Sequence, residues 1–426
     1  MIYRSIKECR ICGNKNLTEV LNFGEQYLAS SFVESNDTSE LGKIRMPLTV
    51  VLCDRGNNPK GCSLLQLKET VNRDLMYQKY FYRSAVNPMM RNALKEIAVE
   101  AMKRVFLTKG DAVLDIGAND GTLLEFFPSW TERIGIDPAK NINRGDLDKS
   151  ITIIEDYFSK ERVIKASPDK LFKVITSIAM FYDLDDPNAF VAEVKSILAP
   201  DGIWCIQLSY LPATLMALNF YDVCHEHLLY YSLRTLNHLL ERHQLGVFDA
   251  SLNDVNGGSL RVFVGHASAS RPLTHAVKKI YAEEDKMMLS NPATYREFAK
   301  RINSLKKITL DLIRSEKENG GSVIGLGAST KGNMLLQFFG IDKTLIPYLS
   351  ERNPEKVGLR TLGTDIELIS EERARDLNPS AMLVLIWFFK EELIKREQAY
   401  LRQGGKLYFP MPYPHVVTKD GEIKLW

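Results

Sequence analysis

The stretch that most restricts the fold is AVLDIGANDGTLLEFF, residues 112–127. An apolar run ends on Asp115, a tight turn carries Gly117, Asn119 and Gly121, and the pattern predicts a helix beyond it. Continuous apolar runs of this kind are typical of strands buried on both faces of a parallel sheet. A turn at the carboxyl end of such a strand is where open α/β sheets bind their ligands. RIGID (133–137) and FKVITSIAM (172–180) have the same texture, with helical spacing between them. SVIGLG (322–327) starts a second series of the same kind. The predicted class is α/β, with two Rossmann-like units built from βαβ elements.

A chain of 426 residues exceeds what one core serves, so several domains are expected. We place a cysteine-rich module at 1–76, a central Rossmann-like domain at 77–268 and a C-terminal Rossmann-like domain at 269–426. Basic and acidic side chains nearly balance, 55 against 53, which argues against a nucleic-acid or membrane footprint. There is no membrane-length apolar run, and the charged N-terminus lacks the core of a signal peptide. A cytoplasmic location is therefore expected, where thiols stay reduced and cysteines need a metal, catalytic or packing role. Four of the six cysteines fall in the first 62 residues, as the pairs Cys9/Cys12 and Cys53/Cys62. Two thiolate pairs suit a tetrahedral structural zinc in a module too small to hold itself together. The alternative is four partly buried free thiols. Nothing in the sequence sets an oligomeric state.

The charge at the glycine turn selects the cofactor. A dinucleotide needs G-x-G-x-x-G, so that its pyrophosphate sits on a helix N-terminus. Here the turn reads G-A-N-D-G, and Asp120 would repel a pyrophosphate. A cofactor with sulfonium and ammonium groups would be attracted, so S-adenosylmethionine is preferred to a nicotinamide dinucleotide. Asp137, 20 residues after Gly117, ends the next strand where ribose hydroxyls need an acceptor. Asp156 and Tyr157 follow a third strand, where an adenine could be met. A purely structural glycine turn would leave these spaced acids unexplained.

The densest chemistry lies in YDVCHEHLLYYS, residues 221–232. Histidine titrates near working pH and suits a general base. His227 is the candidate, with Glu226 beside it; His225 either assists or satisfies a local bond. If the segment were a strand, His225 and His227 would share a face and could bind a metal, but no third ligand is evident. Tyr221, Tyr230 and Tyr231 could donate to an oxyanion or pack. NGGSLR, from Asn256 through Ser259 to Arg261, reads as a substrate loop or a tight hairpin. GLGASTKGN supplies Ser329, Lys331 and Asn333 on a strand–turn–helix suited to a diphosphate.

Together these segments resemble the sugar C-methyltransferase family of deoxysugar biosynthesis. The similarity runs through CRIC with CSLLQL, MYQKYFYRS, VLDIGANDGTLL, GIDPA, HEHLLYYS, NGGSLRVFV, GLGASTKGN, ERNPEKVGLRTLGT and GGKLYFPMP. The resemblance implies a zinc module, a central S-adenosylmethionine-dependent domain and a C-terminal domain that helps hold a nucleotide-linked sugar. It implies His227 as the base with Glu226 in the same pocket. The matched segments add Tyr82, Ser84 and Pro138 to the expected cofactor contacts, and Ser177 at the end of the fourth strand is expected to join them. Cys224 stands where the family commonly has tyrosine, Tyr182 where a histidine often follows the fourth strand, and Gln207 where a glutamate is expected. The first two are expected to face the methyl acceptor, so an oxygen or nitrogen acceptor stays open beside carbon. An oxidoreductase or epimerase is the other enzymatic reading.

Overall fold

The computed structural model describes residues 2–34, 44–56, 58–77, 84, 88–145 and 147–426. Short strands form the N-terminal module: β1 (Tyr3–Ser5), β2 (Leu17–Gln26), β3 (Phe32–Val33), β4 (Met46–Cys53), β5 (Leu65–Leu67) and β6 (Glu69–Val71). β2, β4 and β5 pair antiparallel, and β4 is buried along nearly its whole length.

The central domain contains β7 (Ala112–Ile116), β8 (Glu132–Ile136), β9 (Ile151–Ile154), β10 (Phe172–Ile178), β11 (Leu198–Ser209), the short β12 (Leu229–Tyr230), β13 (Leu245–Asn253) and β14 (Ser259–His266). Seven of them make one sheet in the order β13-β14-β11-β10-β7-β8-β9. β9, β8, β7, β10 and β11 run parallel, and β14 is antiparallel to both its neighbours. β7 lies mid-sheet with all five residues buried, as its apolar run requires. The helix predicted after the glycine turn is absent. The chain makes only a 3-10 turn at Leu124–Phe126, because Pro128 disfavours helical backbone at the residue before it.

Two helices, His275–Lys286 and Pro292–Glu318, lead to the C-terminal domain. The second buries Tyr295, Phe298, Ile302, Leu305, Thr309 and Ile313, a stripe at helical spacing. Strands β15 (Val323–Leu326), β16 (Tyr348–Glu351), β17 (Arg360–Thr361), β18 (Glu367–Ser370), β19 (Ala381–Val384), β20 (Lys406–Phe409), β21 (His415–Thr418) and β22 (Gly421–Lys424) complete the chain. With β3 they form a nine-stranded sheet, β22-β21-β20-β19-β15-β16-β18-β17-β3.

Two pairings cross the boundaries drawn from sequence. β3 of the N-terminal module ends the C-terminal sheet, with Val33 opposite Arg360. β12 leaves the central domain and pairs with β5, Leu229 opposite Gln66. An aromatic cluster fills the junction: Phe23, Phe220, Phe338 and Phe339 come from all three parts, with ring centroids 4.9–6.2 Å apart. The buried rings of Phe23, Phe220 and Phe339 each contribute about 2–3 kcal/mol, and half-buried Phe338 less. The junction is thus a continuous core.

Candidate active site

The four N-terminal cysteines converge. Cys9 and Cys12 lie in the turn after β1, Cys53 ends β4, and Cys62 precedes β5. Their sulfurs all lie within 4.8 Å of one another, with Cys9–Cys62 and Cys12–Cys53 at 3.5 Å. Four thiolates around one zinc would be about 3.8 Å apart, since Zn–S is about 2.3 Å. The donor set therefore fits a closed structural site. Asn14 supports it by donating from Nδ2 to Cys53 Sγ at 3.4 Å.

The glycine turn is lined with carboxylates. Gly117 and Gly121 have φ of +80° and +84°, and a Cβ at Gly117 would lie 2.9 Å from Met180 Cγ. Asp137 accepts the amides of Asn119 and Ala139, both at 2.9 Å, so the second strand end grips the turn. The Asn119 side chain accepts the Ser84 amide at 3.1 Å. Asp115 is buried and accepts the Thr176 hydroxyl at 2.6 Å. Burial pushes its carboxyl up to about 7 despite that bond, and the neighbouring Asp137 and Asp120 push the same way. Such a cluster is relieved by a cationic ligand. The Asp137 amide donates to Ile154 O at 3.0 Å, bringing the loop of Asp156 and Tyr157 alongside. There Asp156 pairs with Arg162 at 2.6 Å, while the Tyr157 ring lies under Arg73 and its hydroxyl donates to Asp74. Pro138 is half-buried beside Asp137. Ser177 faces inward and accepts from Trp204 Nε1 at 3.1 Å. Tyr82 lies outside the described residues. One contributor escaped the sequence reading: Arg144 ties the Asn119 carbonyl (3.0 Å), Asp137 (3.7 Å) and Glu155 (2.8 Å) into one network.

His225 and His227 do not share a face, because the segment is a turn and not a strand; the His227 amide donates to Cys224 O at 3.1 Å. His225 is buried with Nε2 3.3 Å from Pro47 O, against the N-terminal module. Among the described residues, the only metal-competent cluster is the four cysteines. His227 turns the other way. Its Nδ1 lies 2.7 Å from the main-chain carbonyl of Asp222. A carbonyl only accepts, so Nδ1 carries the proton and Nε2 presents the lone pair. Burial lowers the imidazole to about 4, against a smaller upward push from Asp222. The ring is therefore neutral at pH 7. Tyr182 packs against it edge-on, centroids 4.4 Å apart. Glu226 and Cys224 are buried beside it, and burial raises both. The turn is fixed behind by β12 on β5 and by the Leu67 amide donating to Leu228 O at 2.9 Å. The zinc module thus backs the turn that carries His227.

The C-terminal turn meets this segment from the opposite side. Ser329 caps the helix Thr330–Phe339 by accepting the Gly332 amide at 2.9 Å. Lys331 reaches Asp222 at 2.5 Å and Asn256 O at 3.3 Å, with Tyr221 5.8 Å from its ammonium. Asn333 donates to Ala29 O at 2.9 Å, tying the N-terminal module in. Ser259 bonds to Val255 O at 2.9 Å in the same hairpin. Arg261 belongs to a separate buried network, donating to Gln207 at 2.8 Å and Glu96 at 2.9 Å.

Three family descriptions match in chain order: a zinc binding domain at residues 9–77, a methyltransferase domain at 89–249, and a C-methyltransferase C-terminal domain at 254–412. With the acid-lined turn, they make this an S-adenosylmethionine-dependent methyltransferase with a zinc-binding N-terminal module. C-methyltransferase NovU of Streptomyces niveus is 31% identical over 424 residues, covering 99% of each chain. The chain belongs to that C-methyltransferase family. Among solved structures, the plantazolicin methyltransferase BpumL in complex with S-adenosylhomocysteine is 16% identical, covering 42% of this chain and 84% of that one, with a TM-score of 0.34. An S-adenosylmethionine-dependent methyltransferase from Clostridium acetobutylicum is 12% identical, covering 41% and 92%, with a TM-score of 0.34.

Proposed function

We propose that the chain methylates the carbon beside the ketone of a nucleotide-diphosphate-linked keto-deoxysugar, in the cytoplasm, with His227 as the base. The observation that carries this reading is the neutral imidazole whose Nδ1–H is bound to Asp222 O, leaving Nε2 to take a proton. S-adenosylmethionine supplies an electrophilic methyl group. His227 removes the proton next to the carbonyl, and the resulting enolate carbon takes the methyl. The C–S bond breaks, S-adenosylhomocysteine leaves, and the ketone reforms. Tyr182 and Cys224 flank the acceptor, Glu226 holds a sugar hydroxyl, and Asp137 holds the cofactor ribose. Lys331 and the amides after Ser329 face the nucleotide side. The family supports carbon as the acceptor.

The test follows deuterium. In D2O, the wild-type enzyme exchanges the hydrogen beside the ketone of a nucleoside-diphosphate keto-deoxysugar before methyl transfer, and the product gains a C-methyl. His227→Ala loses exchange and turnover by about 10³-fold, a typical scale for a general base, while still binding S-adenosylhomocysteine. Full-rate turnover in His227→Ala would remove the base assignment, and an O-methyl product would move the acceptor.

A further inference from the structure

The carbonyl that holds His227 belongs to a residue whose side chain is also committed. Asp222 ends the 3-10 turn Phe220–Asp222 and is 2% exposed. Its carboxylate pairs with Lys331 Nζ at 2.5 Å, and Thr214 donates to its other oxygen at 3.4 Å. Lys331 comes from the C-terminal domain and also donates to Asn256 O at 3.3 Å. The start of the turn is held in the same manner. Trp387 Nε1, again from the C-terminal domain, donates to Asn219 Oδ1 at 2.9 Å, and Asn219 Nδ2 donates to Gly257 O at 3.1 Å. A buried ion pair adds little net stability but fixes geometry, because a lone buried charge is costly. Here it joins the base-bearing turn, the 256–258 hairpin and the C-terminal helix.

We propose that Asp222 is a positioning residue for His227: its carbonyl fixes the imidazole tautomer, and its ion pair with Lys331 makes that geometry depend on the docked C-terminal domain. The inference rests on the reading of His227 as the base. The pair also sets the charge beside the ring. Asp222 and Lys331 are the charged groups acting on His227; Tyr182 packs edge-on, and Cys224 and Glu226 titrate on the same turn. Asp222 favours the protonated ring and Lys331 opposes it. Removing either charge therefore moves the imidazole in opposite directions.

Nitrogen-15 histidine spectra of the full chain test this without a substrate, with His227→Asn identifying the resonance. Wild type shows the Nδ1–H tautomer at pH 7. Lys331→Met raises the His227 midpoint and Asp222→Asn lowers it, each by about one unit, as for a nearby charge removed. Asp222→Asn also mixes the tautomers, and the double variant returns the midpoint toward wild type. In turnover of a nucleoside-diphosphate keto-deoxysugar, Asp222→Asn loses about 10²-fold in kcat with KM nearly unchanged, the signature of a misplaced base. S-adenosylhomocysteine binding confirms that each variant is folded. Unchanged tautomer and midpoint in both folded single variants would overturn the role of Asp222. Retained washout in His227→Asn would instead overturn the base assignment, whatever Asp222 does.

Discussion

The chain contains two strand–glycine-turn units, and they are chemical opposites. The turn after β7 is crowded with Asp115, Asp120 and Asp137, and a 3-10 turn follows it. The turn after β15 opens a ten-residue helix capped by Ser329 and carries Lys331. The same backbone idea thus yields one turn lined by acids and one that carries a lysine, whose charge is met by Asp222. A long helix after the first turn would aim a positive dipole end at a cationic cofactor. The 3-10 turn avoids this, and the carboxylates set the sign. His227, the proposed base, sits on a turn that belongs to neither unit.

The largest expected effect probes the acidic turn. Asp115 has a folded pKa near 7, above its unfolded value of 3.8. The folded chain therefore binds more protons than the unfolded chain between about 4 and 7, and loses stability as pH rises through that window. The loss is on the order of 4 kcal/mol, from a shift of about three units. Asp115→Asn keeps an acceptor for Thr176 and should flatten the dependence, read as urea midpoints from pH 4 to 8. An unchanged slope would show that the turn tolerates ionised Asp115.

Next in size is a separation of ligands. Asp137→Ala should weaken S-adenosylhomocysteine by about 100-fold in calorimetry, since hydrogen bonds to a charged group contribute about 1.5–3 kcal/mol each. The KM for the proposed sugar nucleotide should stay within about threefold, because the groups proposed to hold it lie on the other turn. Equal losses on both sides would collapse the contrast between the two sites. The smallest effect is on the C-terminal turn itself: Ser329→Ala removes a helix cap and should lower stability by about 1 kcal/mol. Thermal unfolding with and without bound S-adenosylhomocysteine would measure it, with cofactor affinity unchanged.

Local patterns were legible in the sequence wherever neighbours in the chain are neighbours in space. The four cysteines sit in two short-range pairs, and Asp115, Asp120 and Asp137 fall at the ends of two successive strands and the turn between them. Distant convergence was legible for the two cysteine pairs, which a shared metal demands, and not for side chains without such a demand. Nothing in DVCHEH announces that Asp222 meets Lys331, or that Asn219 meets Trp387 168 residues away. Arg144 reaches back to a turn 25 residues earlier. The opposite orientations of His225 and His227 follow from a turn where strand alternation predicted a shared face. Pro128, visible in the sequence, was the available signal that the helix after Gly121 would not form.

The pairing of Val33 with Arg360 has a consequence for synthesis. A nascent chain emerges from its N-terminus and folds in that order. β3 must wait on the ribosome, its hydrogen-bonding edge unmet, until nearly the whole polypeptide has been translated. The first module can bind its metal early, but β3 finds its place only when β17 has formed beside it. Release of a truncated chain would therefore leave that edge open to other polypeptides, and completion of the last domain is what seals the first.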